Sequence, residues 1–332
     1  MAGERPLILV IGATGVMGRE VMRSLEGRCR LRALVHSDKS DAEIARRYPQ
    51  AERVQRDLLD GASLGPAFAG VDRVFLLTPS VPEQGRLEDN ALDAALAAGV
   101  QRIVYVSNTD VGWGIELGAA HAAMERRLVG AGVSHTVVRP EFLLNNLLGG
   151  VDELARGRLV APSGDGRCPF VDARDVGAVA AAVLLAAEPP QGPIEVTGPE
   201  SLSWAQLAAR LQAALGRPMQ HIDPDPAEWA DQAVSAGMPP WLAGALAEYF
   251  EMLRGRPLEA SDDTRRVIGR RPRSVEDFAS DVLAPAMPAV TESTPPALVS
   301  PPSGEAPGTG EGGEDGTQVT ATIPTTDRSE HA

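Results

Sequence analysis

Eight residues near the start, Ile11-Gly12-Ala13-Thr14-Gly15-Val16-Met17-Gly18, could hold a pyrophosphate. They follow the apolar run Leu7-Ile8-Leu9-Val10, which reads as a buried strand. Gly12 allows a sharp turn, Gly15 leaves the backbone open to phosphate oxygens, and Gly18 lets the next helix pack closely on the strand. The helix start, with Met17, Val21, Met22 and Leu25 on one face, offers free N–H groups and a positive dipole end. Strand, turn and amphipathic helix in this order point to dinucleotide binding. An ordinary strand–helix turn is the alternative.

Other candidate contacts follow from position. An acid ending the second strand would hold the ribose hydroxyl of NAD. Here that strand runs into His36-Ser37-Asp38-Lys39, where Ser37 and Lys39 can donate to a phosphate and Arg19 adds a positive charge. The expectation is NADP, with NAD possible if Asp38 turns inward and His36 and Lys39 are solvated. Asp57-Leu58 follows the third strand; Asp57 either accepts from an adenine amino group or caps a helix. Leu77-Thr78-Pro79 ends the fourth strand at the carboxyl edge, where ligands bind.

The elements that must position these residues alternate. Strands are predicted at 7–11, 31–35, 53–55, 73–77, 102–106 and 135–138, with helices near 18–25, 41–47, 62–68, 84–98 and 116–129. Glycines 27, 70, 99 and 130 or 132 sit where helix C-caps belong. This rhythm predicts an α/β chain with a Rossmann-type doubly wound parallel sheet. After Pro140 helices dominate (145–156, 172–187, 203–215, 226–236, 239–253, 274–282), with short strands at 158–161, 193–196 and 219–222. The expected organisation is a cofactor-binding core over 1–140, with some sheet contribution from the segment after residue 140. A smaller, mostly helical substrate cap covers 141–284, and a disordered tail covers 285–332. The tail is rich in Pro, Gly, Ser and Thr and carries seven acids against one arginine.

Bulk composition narrows the partners. The chain has 332 residues, 43% of them hydrophobic, enough for a sizeable core. A net charge of −14 argues against nucleic acid or an anionic membrane surface. Lys39 is the sole lysine. Cys29 and Cys168 form no C-x-x-C pair, the five histidines show no metal-ligand spacing, and the N-terminal apolar run is a strand rather than a signal peptide. The apolar stretch 176–187 is too short to span a bilayer. These features predict a cytoplasmic monomer or homodimer acting on a small molecule, with no metal.

The ordered motifs resemble the NmrA-like atypical short-chain dehydrogenases. The resemblance rests on Gly12-Ala13-Thr14-Gly15-x-x-Gly18, on the run from Ala98 through Arg102 to Ser107, and on His121-x-x-x-Glu125. It continues in Val138-Arg139-Pro140 with Asn145, in Asp172-x-x-Asp175-Val176, and in Gly198 to Ser203 before Trp204. It covers about residues 6–283 and is nearest to the quinone oxidoreductase and triphenylmethane or azo-dye reductase branches. It implies a nicotinamide cofactor at the sheet edge and substrate under the cap.

One departure shapes the chemistry. Standard short-chain dehydrogenases use Tyr-x-x-x-Lys. If Glu125 matches the acid four residues after that lysine, the lysine position is His121 and the tyrosine position Leu117. Carbonyl reduction needs an acid that donates as hydride arrives. Without the pair, acceptors that delocalise charge are favoured: quinones, enones and iminium dyes. His121 is the expected proton donor, with an ordinary pKa of about 6.5. Ser107 would orient a substrate oxygen, and Glu125, one turn from His121, would hold its ring. His121 and Glu125 could equally be an ordinary helix pair. Ser107, Pro140 and Glu141 are expected beside the nicotinamide, though Glu141 could be a loop carboxylate. Most cap aromatics, Trp204, Trp229, Trp241, Tyr249 and Phe250, should be core, with one or two lining the cleft. The expected activity is NAD(P)H-dependent hydride transfer to a small quinonoid, enone or aromatic substrate. A redox sensor without turnover, or an isomerase or cyclase, are the alternatives.

Overall fold

The computed structural model describes residues 5–190 and 192–288, with Glu116 and Leu117 in backbone only. The expected tail, from residue 289 on, lies outside them.

The chain begins as alternating strands and helices: β1 (Leu7–Val10), α1 (Val16–Leu25), β2 (Arg30–Val35), α2 (Asp38–Arg47), β3 (Glu52–Gln55), α3 (Gly65–Phe68), β4 (Arg73–Leu76), α4 (Gln84–Ala97), β5 (Arg102–Val106), α5 (Glu116–Ala131) and β6 (Ser134–Pro140). Next come α6 (Val151–Ala155), β7 (Arg158–Val160), β8 (Arg167–Cys168), α7 (Ala173–Leu185), β9 (Ile194–Val196), β10 (Leu202–Ser203), α8 (Trp204–Leu215), β11 (Gln220–Ile222), α9 (Pro226–Ser235), α10 (Pro240–Leu253), α11 (Asp263–Ile268) and α12 (Val275–Phe278). Seven strands pair in parallel in the order β3-β2-β1-β4-β5-β6-β9. The chain runs outward from β1 to β3, then returns to β4 beside β1. That reversal opens a crevice at the carboxyl ends of β1 and β4, where such sheets bind ligands.

Side-chain alternation splits the core into two layers. Ile8 and Val10 of β1 pack with Val21, Met22 and Leu25 of α1 and with Val176, Val179 and Val183 of α7. Leu7, Leu9 and Ile11 face Phe68 of α3, Leu92 of α4 and Leu128 of α5. Covered on both faces, the strands read as apolar runs. The apolar stretch from Val176 is the buried helix α7, and α7 and β9 build onto this sheet although both lie beyond residue 140.

A third cluster forms the cap. Phe170, Trp204, Leu207, Phe250, Leu253 and Phe278 pack together with Leu144 and Leu154. Met287 belongs to it, so the packed chain reaches beyond Ala284.

Local departures from expectation have local causes. The segment 62–68 divides into a 3-10 turn, Gly61–Ser63, and α3, with Pro66 in the first turn. The segment 145–156 is a 3-10 stretch, Leu144–Gly150, before α6, because Gly149 and Gly150 weaken a continuous helix. The segment 274–282 passes from α12 into a π turn, Ala279–Leu283. Helix α11 was not expected; it ends at Gly269, whose φ is +72°.

Candidate active site

The glycine turn is built by contact as much as by conformational freedom. Gly12 has φ +78°, and a Cβ there would lie 2.6 Å from the Leu77 carbonyl oxygen. Gly12 therefore ties the β1 turn against the end of β4. A Cβ on Gly18 would lie 2.0 Å from the Gly12 oxygen, so α1 can approach only with glycine there. Gly15 is the N-cap of α1 and caps it with no side-chain hydrogen bond. Its N–H is used, donating to Gly12 O at 2.9 Å. Ala13 is buried, Thr14 is half-buried and Val16, the first helical residue, is 47% exposed. A helix N-terminus with no side-chain cap, beside a glycine that leaves the approach open, fits a pyrophosphate.

At the end of β2 the expected phosphate donors divide. Ser37 is committed to capping α2: its Oγ accepts from Ser40 N, and Ser40 Oγ accepts from Ser37 N and His36 N. The Ser37 oxygen thus serves a capping box at the start of α2. Arg19 is held by both oxygens of Glu43 at 2.8 and 3.0 Å, which offsets its charge. His36 and Lys39 remain exposed. Asp57 Oδ1 accepts from Leu59 N at 2.8 Å, the turn-capping alternative, and Leu58 O accepts from Asn90 Nδ2 at 2.8 Å.

The glycine turn leads to a cavity of about 240 Å³ at the carboxyl edge. Its walls bring together Met17, Leu77, Thr78, Ser107, His121, Pro140 and Glu141 from the expected set. Pro79 is not among its lining residues, but Ser80 is. Phe142, Leu246 and Tyr249 add an apolar side from the cap, so of the five cap aromatics named from the sequence Tyr249 reaches the cleft. Trp113 stacks on Tyr249 with centroids 5.6 Å apart and planes 8° apart.

His121 does not sit as the sequence suggested. Glu125 does not hold its ring. Glu125 accepts instead from Ser107 Oγ at 2.7 Å and from Arg139 Nε at 3.0 Å, a second Arg139 bond closing the fork. Arg139 of β6 is the stronger partner because a guanidinium matches a carboxylate fork. His121 turns to Tyr105, whose hydroxyl lies 2.6 Å from Nδ1. Tyr105 donates to Glu88 Oε1 at 3.0 Å, and Thr78 and Gln84 donate to the same oxygen. A phenol has one proton. With that proton on Glu88, the imidazole donates through Nδ1 and keeps a lone pair on Nε2. Burial lowers the His121 pKa to about 4, against an upward pull from Glu125. Near neutrality the ring is therefore uncharged, and the expected pKa of about 6.5 does not hold.

A second polar group lies across β6 and the 3-10 turn Thr109–Gly112. Glu141 Oε2 accepts from Thr109 Oγ1 at 2.6 Å, and Oε1 accepts from Phe142 N at 3.1 Å and Tyr249 at 3.2 Å. Asp110, also on the cavity wall, is 3% exposed, and its Oδ1 has no hydrogen-bond partner. Sequence reading passed over Asp110, Tyr105, Glu88 and Gln84. Asp110, three residues past Ser107 at the end of β5, was the one that position could have flagged. Among the described residues, no group of three or more His, Cys, Asp or Glu is placed to hold a metal ion. No helix among them is long and apolar enough to cross a membrane.

Known proteins share this architecture. The model of the NmrA-like family matches residues 4–255. The NAD(P)H azoreductase of Xenophilus azovorans is 34% identical over 281 residues, covering 82% of this chain and 96% of that one. Quinone oxidoreductase 2 of Escherichia coli is 29% identical over 246 residues, covering 73% and 86%. The crystal structure of an NADPH-dependent quinone oxidoreductase from Escherichia coli, complexed with NADPH, superposes with a TM-score of 0.75 at 27% identity, covering 82% and 98%. With most of its length matched, and with the glycine turn set at the sheet's switch point, the chain belongs to the NmrA-like family.

Proposed function

We infer that this protein is an NAD(P)H-dependent oxidoreductase that reduces a small quinonoid, azo or enone acceptor, with NADPH as the preferred donor. The observation that carries the reading is one continuous edge. The glycine turn opens directly into a cavity walled by Met17, Leu77, Ser107, His121 and Glu141. The relatives named for azo and quinone reduction support the same reaction class. The reduced nicotinamide supplies a hydride. Everything else is positioning by this chain.

Gly12, Ala13, Thr14, Gly15, Val16, Met17 and Gly18 hold the pyrophosphate. His36 and Lys39 are the side chains left to meet a ribose phosphate, with Ser37 fixing the α2 start beneath them. Asp57 and Leu58 border the adenine end. Leu77, Thr78, Pro79, Ser107, Pro140 and Glu141 surround the nicotinamide end. Ser107 gives its proton to Glu125 and so keeps lone pairs to orient a donor. His121, neutral and braced by Tyr105, lines the acceptor's side of the cavity. Residues 141–284, apart from α7 and β9 on the main sheet, close over the acceptor as a cap, with Phe142 and Tyr249 as its apolar wall. An acceptor that spreads the incoming charge suits this wall, since no lysine stands at the His121 position.

A panel of quinones, azo dyes and enones with NADPH tests this. NADPH oxidation stoichiometric with acceptor loss is expected. Tight NADPH binding with no turnover across the panel would leave a cofactor-sensing protein instead.

A further inference from the structure

Two carboxylates share the cavity wall. They come from different elements and meet different partners. Glu141, just past β6, accepts from Thr109, from Tyr249 and from the Phe142 amide, so both of its oxygens carry donors. Asp110 has no side-chain donor, and its Oδ1 is buried without a partner. Among the described residues neither is in a salt bridge. Two carboxylates on one buried wall raise each other's proton affinity, so one of them keeps its proton to higher pH. The donors decide which is ionised. Glu141 keeps the negative charge and Asp110 keeps a proton.

Resting on the reductase reading above, we propose that the buried Asp110, on the cavity wall it shares with Glu141, holds and delivers the proton accompanying hydride transfer. The balance is simple. The acceptor gains a hydride from the reduced nicotinamide, which is oxidised by two electrons. The Asp110 O–H bond breaks as an O–H or N–H bond forms on the acceptor. Asp110 is left charged beside Glu141 and regains a proton from water when product leaves. His121 is unsuited to this step, because its ring is neutral and its Nδ1 proton is committed to Tyr105.

The surroundings fix when Asp110 is loaded. Glu141 faces Asp110 from the β6 end, Tyr249 from α10, and the backbone of Gly118 backs it from α5. Cys168 of β8 lies against Glu141, and His121 of α5 lines the same cavity. The Arg256 guanidinium lies over the Trp113 ring, 5.1 Å from its centroid. Burial first, then the Glu141 charge, pushes Asp110 up to about 7. Burial also raises Glu141, against the pull of its donors.

Three measurements test this role of Asp110. In Asp110→Asn, the maximal rate should fall about 10²–10⁴-fold with NADPH affinity unchanged. The wild-type decline in kcat above about pH 7 should disappear with it. In Glu141→Gln, the decline should move to lower pH by about one unit or more, a tenfold change in proton affinity, because the charge that raises Asp110 is gone. This second variant keeps the test open if Asp110→Asn does not fold. Infrared titration of the protein without substrate should show a protonated-carboxyl C=O band that vanishes near pH 7 and is missing in Asp110→Asn. An unchanged rate and pH profile in Asp110→Asn, an unmoved decline in Glu141→Gln, or no such band in the wild type would overturn it. A band without turnover on any acceptor would overturn the reductase reading, and the delivery step with it, while the protonated Asp110 would stand.

Discussion

At the scale of single residues, the three glycines of the first turn do different work, and substitution separates them. A Cβ on Gly18 collides with backbone at 2.0 Å, so Gly18→Ala should destabilise the fold by about 1–3 kcal/mol. A Cβ on Gly15 meets only Gly12 O, at 3.3 Å. Gly15→Asp should therefore fold, yet place a carboxylate where phosphate approaches and abolish NADPH binding in titration. Thermal melts and titrations on both variants would show the split. His121 makes a second prediction, with its sign set by burial. Its folded pKa is about 4, below the ordinary 6.5 of an unfolded histidine. The unfolded chain thus binds the extra proton first. The stability from keeping this ring neutral is fully present above pH 6.5 and is lost as pH falls toward 4, by up to about 3 kcal/mol. Urea midpoints for wild type and His121→Asn, followed from pH 7 to pH 4, should converge.

At the scale of elements, the junction of β2 and α2 is the proposed seat of cofactor choice. With Ser37 capping α2, the proposed discrimination rests on the exposed His36 and Lys39. A charged donor to a phosphate contributes about 1.5–3 kcal/mol. His36→Asp with Lys39→Ala should shift preference toward NADH by at least about tenfold in paired titrations. A wild type that already binds NADH more tightly would contradict it. The same scale shows what the sequence made legible. The parallel strands, α1, the crevice and its glycine turn follow from apolar runs and glycine spacing, because a sheet covered on both faces leaves little choice. His121, Ser107 and Glu141 do reach one cavity. Their partners were hidden. Glu125 sits one turn from His121 along α5, but Arg139 comes from β6 and outcompetes it. Tyr105 read as another apolar strand residue, yet its hydroxyl links His121 to Glu88. Such pairings depend on which strands adjoin, and no spacing along the chain encodes that.

At the scale of the whole molecule, the cap and the sheet are joined by a buried charge. Asp175 of α7 is fully buried and accepts from Arg270 at 2.6 Å, from the Arg273 amide at 2.6 Å and from the Arg273 guanidinium. It ties the segment between α11 and α12 to a helix packed on the sheet. Asp175→Ala should cost stability near the lower end of about 3–5 kcal/mol, since both guanidiniums are partly in water. A denaturation curve would show the loss, and a change below about 1 kcal/mol would mean the tie is not needed. In the proposed reading the cap held in this way closes the cavity over the acceptor, and direct hydride transfer inside that cavity is the central claim. The most direct measurement uses NADPH deuterated on the transferred face of C4, with an enone as acceptor. Direct transfer predicts one NADPH consumed per enone and deuterium retained on the β-carbon of the product. NADPH consumption with deuterium lost to water would contradict direct transfer, and NADPH bound but never consumed would contradict catalysis altogether.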